Sequence, residues 1–179
     1  MFAGQMGCEA LNFLLKRWIR EERPRQMYGK GYGMPSSHSQ FVTYFSLSLS
    51  LFLLFRHAPN PSATHTPSSL LERTLLSLLA CFCATAVAAS RVYLNYHTPK
   101  QVLVGCAAGV VFAVAWFLFT MYLRRAGWIE WGLEATWARM FRLRDLVVGE
   151  DLVDAGWERW ETRRKLKRRE NGTASKKRR

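Results

Sequence analysis

The sequence is poor in the residues that build metal centres and disulfide frameworks. Its four cysteines, Cys8, Cys81, Cys83 and Cys106, and its four histidines form neither a CxxC pair nor a His-rich tract. That excludes the common zinc-site spacings, and neither a metal nor a cofactor is expected. Each cysteine lies inside an apolar segment, where buried packing is the default reading. The first 19 residues lack an early basic cluster and a small-residue cleavage site, and they contain Glu9 and Asn12. They are therefore not a secretory signal but the interior of a helix, short for a complete span. Acidic residues are few, 13 against 26 Lys and Arg, which gives a formal charge of +13. In a soluble chain that excess would suggest nucleic acid. Here 16 of the basic residues follow Leu123 and the region before is mostly apolar, so no nucleic-acid partner is expected.

What the chain does have is apolar sequence in blocks: residues 41–55, 75–89 and 102–123, with a weaker one over 2–19. Crossing a bilayer takes roughly 20 apolar residues. Only 102–123 meets that alone; the other two qualify if their polar flanks lie at the interface or against neighbouring helices. The expected fold is all-α, a polytopic membrane helix bundle in contact with membrane lipids. Residues 1–123 form its membrane core, and the prolines and serines of 56–73 make a polar connector that holds His57 and His65. Over 124–160 tryptophans alternate with arginines, as in an amphipathic segment at headgroup level. Residues 161–179 read as a basic, disordered tail.

Charge sets the orientation. Four crossings put the tail and the 56–73 connector, which carries only Arg56 and Arg73, on one side, and the positive-inside tendency makes it the cytoplasm. Eight cations between Lys16 and Lys100 then lie on the far side, against that tendency, and need another reason to be there. Every reactive-looking residue maps to the four helix ends on that side. They fall in three stretches: Lys16-RWIREE-Arg23-Pro24, Pro35-Ser36-Ser37-His38 and Ser90-Arg91-VYLNY-His97-TPK-Gln101. Structural readings stand beside each. Ser37 with Gln40, and Thr98 with Gln101, fit capping boxes, the latter with Pro99 at the first helical position. Taken alone, Lys16 reads as a snorkelling lysine and Arg23 as an interfacial arginine. Tyr93 and Tyr96 suit packing or interfacial anchoring; Gly29, Gly31 and Gly33 suit a flexible loop or a headgroup cradle.

In order, spacing and membrane side, K-x6-RP, PSSH and SR-x5-H-x3-Q resemble the type 2 phosphatidic acid phosphatase superfamily, over about residues 16–101. Gln101 stands where that superfamily usually has Asp. Members also carry hydrophobic helices ahead of the first motif, so the 1–123 core reads as N-terminally shortened. MPSSHSQF and SRVYLNYHTPKQV look closest to the branch that acts on dolichyl diphosphate, which tolerates Gln at that place.

The resemblance implies a metal-independent hydrolase that takes a polyprenyl (dolichyl) diphosphate to its monophosphate and inorganic phosphate. It would work at the lumenal face of the endoplasmic reticulum, supporting dolichol recycling for protein N-glycosylation. His97 is implied as nucleophile and His38 as general acid/base, with Lys16, Arg23, Ser36, Ser37 and Arg91 binding phosphate. Fixed cations and N–H donors are what a phosphoryl group in transfer needs when no metal is present. Gln101 has two readings, accepting the Nδ1–H of His97 or only capping its helix. The alternatives in function are a broad-specificity lipid phosphate phosphatase and a noncatalytic basic membrane scaffold. The terminal Lys176-Lys177-Arg178-Arg179 resembles a dilysine retrieval signal read by the cytosolic coat complex, or simply ends a basic run. Asn171-Gly172-Thr173 is a glycosylation sequon that stays unmodified on the cytosolic side.

Overall fold

A computed structural model describes residues 2–24, 31–57, 69–143, 156–157 and 159–168. Its elements are α1 (Phe2–Ile19), α2 (Ser37–Leu51) running into a π-helical turn (Phe52–Arg56), α3 (Leu70–Tyr93), α4 (Pro99–Arg125), α5 (Trp128–Glu134) and α6 (Thr136–Met140). No strand occurs among the described residues. Among them, Ser37–Arg56, Leu70–Tyr93 and Pro99–Arg125 are long and apolar enough to cross a membrane. Their mean hydropathies of 1.2, 1.9 and 2.5 rise in the order the apolar blocks suggest. Side chains facing outward from α3, including Leu75, Leu78, Leu79 and Phe82, are largely exposed. An apolar surface of that extent belongs in lipid.

α2 is the hub, packing against α1, α3 and α4. The closest approach is to α4, along Gly105, Gly109 and Ala113. A Cβ on Gly109 would lie 2.5 Å from the Gln40 carbonyl oxygen, and one on Gly105 would lie 2.7 Å from that of Ser36. Small residues every fourth position let two membrane helices bring backbones together. Below this contact, Tyr44 packs on Phe112 at 5.5 Å between ring centroids, and Phe112 stacks on Trp116 at 6.0 Å.

Several local expectations change. α2 is not opened by a Ser37–Gln40 capping box: its N-cap is Ser36, whose side chain makes no cap bond. Gln40 turns instead into the bundle, where Asn12 Nδ2 donates to its Oε1 (2.7 Å) and its Nε2 donates to the Cys8 carbonyl (3.1 Å). Buried amides take the partners that leave none of their atoms unpaired, and α1 supplies them. α3 begins at Leu70 rather than near 75, started by a Ser69–Glu72 capping box. His57 is not in open loop; it caps the π turn, and Arg73 donates to the carbonyls of Leu53 (3.2 Å) and His57 (3.1 Å). His65 lies outside the described residues, as do Gly29, Asn171 and the terminal KKRR. Of the cysteines, Cys8 is buried and Cys106 half-buried, but Cys81 and Cys83 are exposed. α3 buries only a narrow stripe at Ser77, Ala84 and Ala88, so most of its surface remains outside the bundle. Residues 159–168 are helical, with an i,i+4 bridge from Lys165 to Glu161, whereas 161–168 were expected to be part of a disordered tail; 169–179 lie outside the described residues.

Candidate active site

The site is assembled where α1 ends and α2 and α4 begin. α1 stops after Ile19 because Arg20 enters the left-handed region (φ 52°), its N–H donating to the Lys16 carbonyl. Beyond it, the Gly33 N–H donates to the Glu21 carbonyl at 2.7 Å, which brings the segment after α1 beside the residues that precede α2. Between α3 and α4 a short turn passes through Asn95 at φ 54°, a conformation asparagine tolerates. The Arg91 carbonyl accepts from the N–H groups of Tyr96 and His97 at 3.0 and 3.2 Å. That fixes His97 immediately before Thr98, the N-cap of α4.

His97 is buried, and its Nδ1 lies 3.1 Å from Gln101 Oε1. Gln101 is wholly buried and does two jobs at once. Its Oε1 also accepts from the Thr98 N–H (3.3 Å), completing a capping box with Thr98 Oγ1. Its Nε2 donates to Glu21 Oε1 (3.1 Å) and to the Glu22 carbonyl (2.9 Å). A side-chain amide has two donors and two sites on its oxygen, and here all four are filled. Turning the amide over would set NH2 against the Thr98 N–H and oxygen against a carboxylate and a carbonyl. The amide is therefore fixed, and His97 Nδ1 must be the donor. In the neutral ring this leaves the lone pair on Nε2.

The cations converge on this ring. Lys16 Nζ donates to Ser37 Oγ at 3.2 Å, joining α1 to the first turn of α2. Arg23 packs beside Gly33, where an added Cβ would lie 3.0 Å from its Cγ and 2.9 Å from Gln101 Nε2. The Nε of Arg23 is buried without a hydrogen-bond partner, a donor directed at no protein acceptor. Burial first, and then the charges of Arg23 and Lys16, push the His97 pKa below the usual imidazole value, while the hydrogen bonds with Gln101 and with the Gly33 backbone oppose them. A neutral ring beside two cations has the chemistry that attack on an anionic group requires.

The remaining residues are placed differently. Ser36 is fully buried, accepting from Ser39 Oγ (3.1 Å), and its N–H donates to the Gln101 carbonyl (3.1 Å). His38 is exposed on the first turn of α2, one residue beyond Ser37. Arg91 stays on its own turn, its guanidinium 5.2 Å from the Tyr96 ring centroid and its Nε donating to Ser90 Oγ at 3.3 Å. No group of His, Cys, Asp and Glu suited to a metal occurs among the described residues.

Sequence reasoning does not single out Glu21, Lys100 or the Asn12–Gln40 pair. The Gly105-xxx-Gly109 spacing in an apolar run was a readable signal of close helix packing. Glu21 carries none, because only the fold brings it to Gln101, 80 positions away.

A family model described as the PAP2 superfamily matches residues 6–125, which include every candidate site residue. A putative dolichyldiphosphatase of Neurospora crassa is 45% identical, the alignment covering 94% of this chain and 77% of the relative. Dolichyldiphosphatase 1 of Homo sapiens is 44% identical over 67% of this chain and 54% of the relative. For the dolichyldiphosphatase of Saccharomyces cerevisiae the identity is 30%, over 87% and 67%. The chain thus spans about half the length of the human relative. No solved structure matches.

Proposed function

The chain belongs to the PAP2 superfamily, and on that premise we propose that it hydrolyses dolichyl diphosphate to dolichyl phosphate and inorganic phosphate through a phosphohistidine. The names of its relatives support the substrate. The observation that carries the mechanism is His97, buried, with Nδ1 committed to Gln101 and two cations beside the ring.

His97 Nε2 attacks the terminal phosphorus, and the bond from that phosphorus to the bridging oxygen breaks. His38 gives its proton to the departing dolichyl phosphate. Lys16, Arg23 and Arg91 balance charge on the nonbridging oxygens; arginine forks suit paired oxygen contacts and lysine acts as a point charge. The N–H groups of Ser37, His38 and Ser39 have no acceptor within α2 and add donors, with Ser36 and Ser37 beside them. Neutral His38 then takes a proton from water, the hydroxide attacks the phosphohistidine, the P–N bond breaks and inorganic phosphate leaves. The reaction faces the lumen of the endoplasmic reticulum and returns dolichyl phosphate for protein N-glycosylation.

The test is phosphate release from dolichyl diphosphate by the detergent-solubilised chain in excess chelator. Turnover should persist, vanadate should inhibit it, and His97→Ala should reduce it on the order of 10³-fold or more while still inserting in membranes. Undiminished turnover by His97→Ala would falsify the mechanism.

A further inference from the structure

The mechanism needs a ring whose Nδ1–H is held and whose Nε2 is basic. A neutral amide is a weaker acceptor for that N–H than a carboxylate. The structure supplies a carboxylate one step further out. Glu21 Oε1 accepts from Gln101 Nε2 at 3.1 Å, on the far side of the amide from His97, and Lys100 Nζ holds Glu21 Oε2 at 3.0 Å. The hydrogen bond with Lys100 first, and then that with Gln101, keeps the Glu21 pKa below the usual carboxylate value, so the group is charged at neutral pH. The Lys100–Glu21 pair is partly exposed and adds little to stability. What it does is aim a negative charge at the NH2 end of a buried amide.

Resting on His97 as the nucleophile, we infer that Glu21 is a positioning residue for it. Its carboxylate polarises the Gln101 amide, fixes which way it points and so strengthens the Nδ1–H···Oε1 bond that leaves the lone pair of the neutral ring on Nε2. Hydrogen bonds in series strengthen one another, and a charged end strengthens them most. Around His97 the charged groups are Lys16 from α1, Arg23 from the segment after it, and Glu21 with Lys100 through Gln101. Both Lys16 and Arg23 oppose a proton on the ring, the hydrogen bonds with Gln101 and with the Gly33 backbone favour one, and Glu21 acts on the first of these through the Gln101 amide. The negative charge that the neutral Gln101 amide lacks is thus provided by Glu21.

Glu21→Gln removes the charge and keeps the shape, since its own amide oxygen can still accept from Gln101. Its kcat should fall about tenfold at unchanged KM, as for an outer-shell orienting group. The acid limb of its pH–rate profile should move to lower pH, because a less stabilised imidazolium loses its proton earlier. Glu21→Gln combined with Gln101→Glu puts a carboxylate directly on Nδ1, and its limb should move above that of the wild type, whatever the yield of folded protein. Spectra of 15N-labelled histidine in micelles report the same ring without turnover: Glu21→Gln should lower the His97 midpoint, and His97→Gln identifies the signal. Unchanged kcat and limb in Glu21→Gln, or a uniform loss of activity with an unmoved limb and midpoint, overturns the assignment. If His97→Ala remains active while the midpoint still shifts, the nucleophile is wrong and the coupling from Glu21 stands.

Discussion

At the scale of the residue, the behaviour of His97 follows from what surrounds it. Burial and the charges of Arg23 and Lys16 depress its pKa. With His97 the nucleophile, as proposed, the neutral ring is the active form, so activity should fall on acidification with a limb below about pH 6.5, the unperturbed imidazole value. Replacing Arg23 with Gln removes a neighbouring charge and should move the limb upward, with a higher KM if the same group holds the phosphate as proposed. A limb in wild type above 6.5, measured by phosphate release across pH, would contradict this electrostatic account. The sign for stability is the same: the unfolded chain takes up the proton more readily, so His97 favours folding above about pH 6.5 and that contribution declines as pH falls. The motif spacing marked His97, Lys16 and Arg23 as candidates. It left Gln101 between two readings, and the geometry gives it both contacts through the two lone pairs of one oxygen.

At the scale of the element, the α2–α4 contact decides whether the site exists. Ser36 and Gln101 open these two helices, and the Ser36 N–H donates to the Gln101 carbonyl. Gly105 and Gly109 allow that approach. Gly109→Leu forces a side chain into the Gln40 carbonyl and should cost about 1–3 kcal/mol, the usual penalty for overpacking. Val111→Leu, on the exposed face of the same helix, should change stability by no more than about 0.5 kcal/mol. Thermal unfolding in detergent, followed by size-exclusion fluorescence, compares the two; equal midpoints would count against the close-packed seam. The helices themselves were readable from apolar block length. Their starts were less so, because Gln40 fits a capping pattern by spacing yet finds better partners on α1.

At the scale of the whole molecule, α4 joins the pocket to everything after it. It has 27 residues, about 40 Å at the usual rise, longer than a hydrocarbon core of about 30 Å. With α4 spanning, the pocket at Pro99 and the segment beyond Arg125 emerge on opposite sides. With the pocket lumenal, as proposed, Asn171 should remain unglycosylated in microsomes. An endoglycosidase-sensitive mass shift that disappears in Asn171→Gln would put the tail in the lumen and the pocket in the cytosol.

Apolar length in the sequence by itself determined a helical bundle in which, among the described residues, three helices are long and apolar enough to cross a membrane, because a backbone in lipid must satisfy its own hydrogen bonds. The three motifs, by their spacing, also put the candidate residues at one set of helix ends. Only the tertiary structure decided which groups meet there. Hydrogen bonds act over about 3 Å, so a carboxylate such as Glu21 acquires a partner like Gln101 only when folding closes the distance.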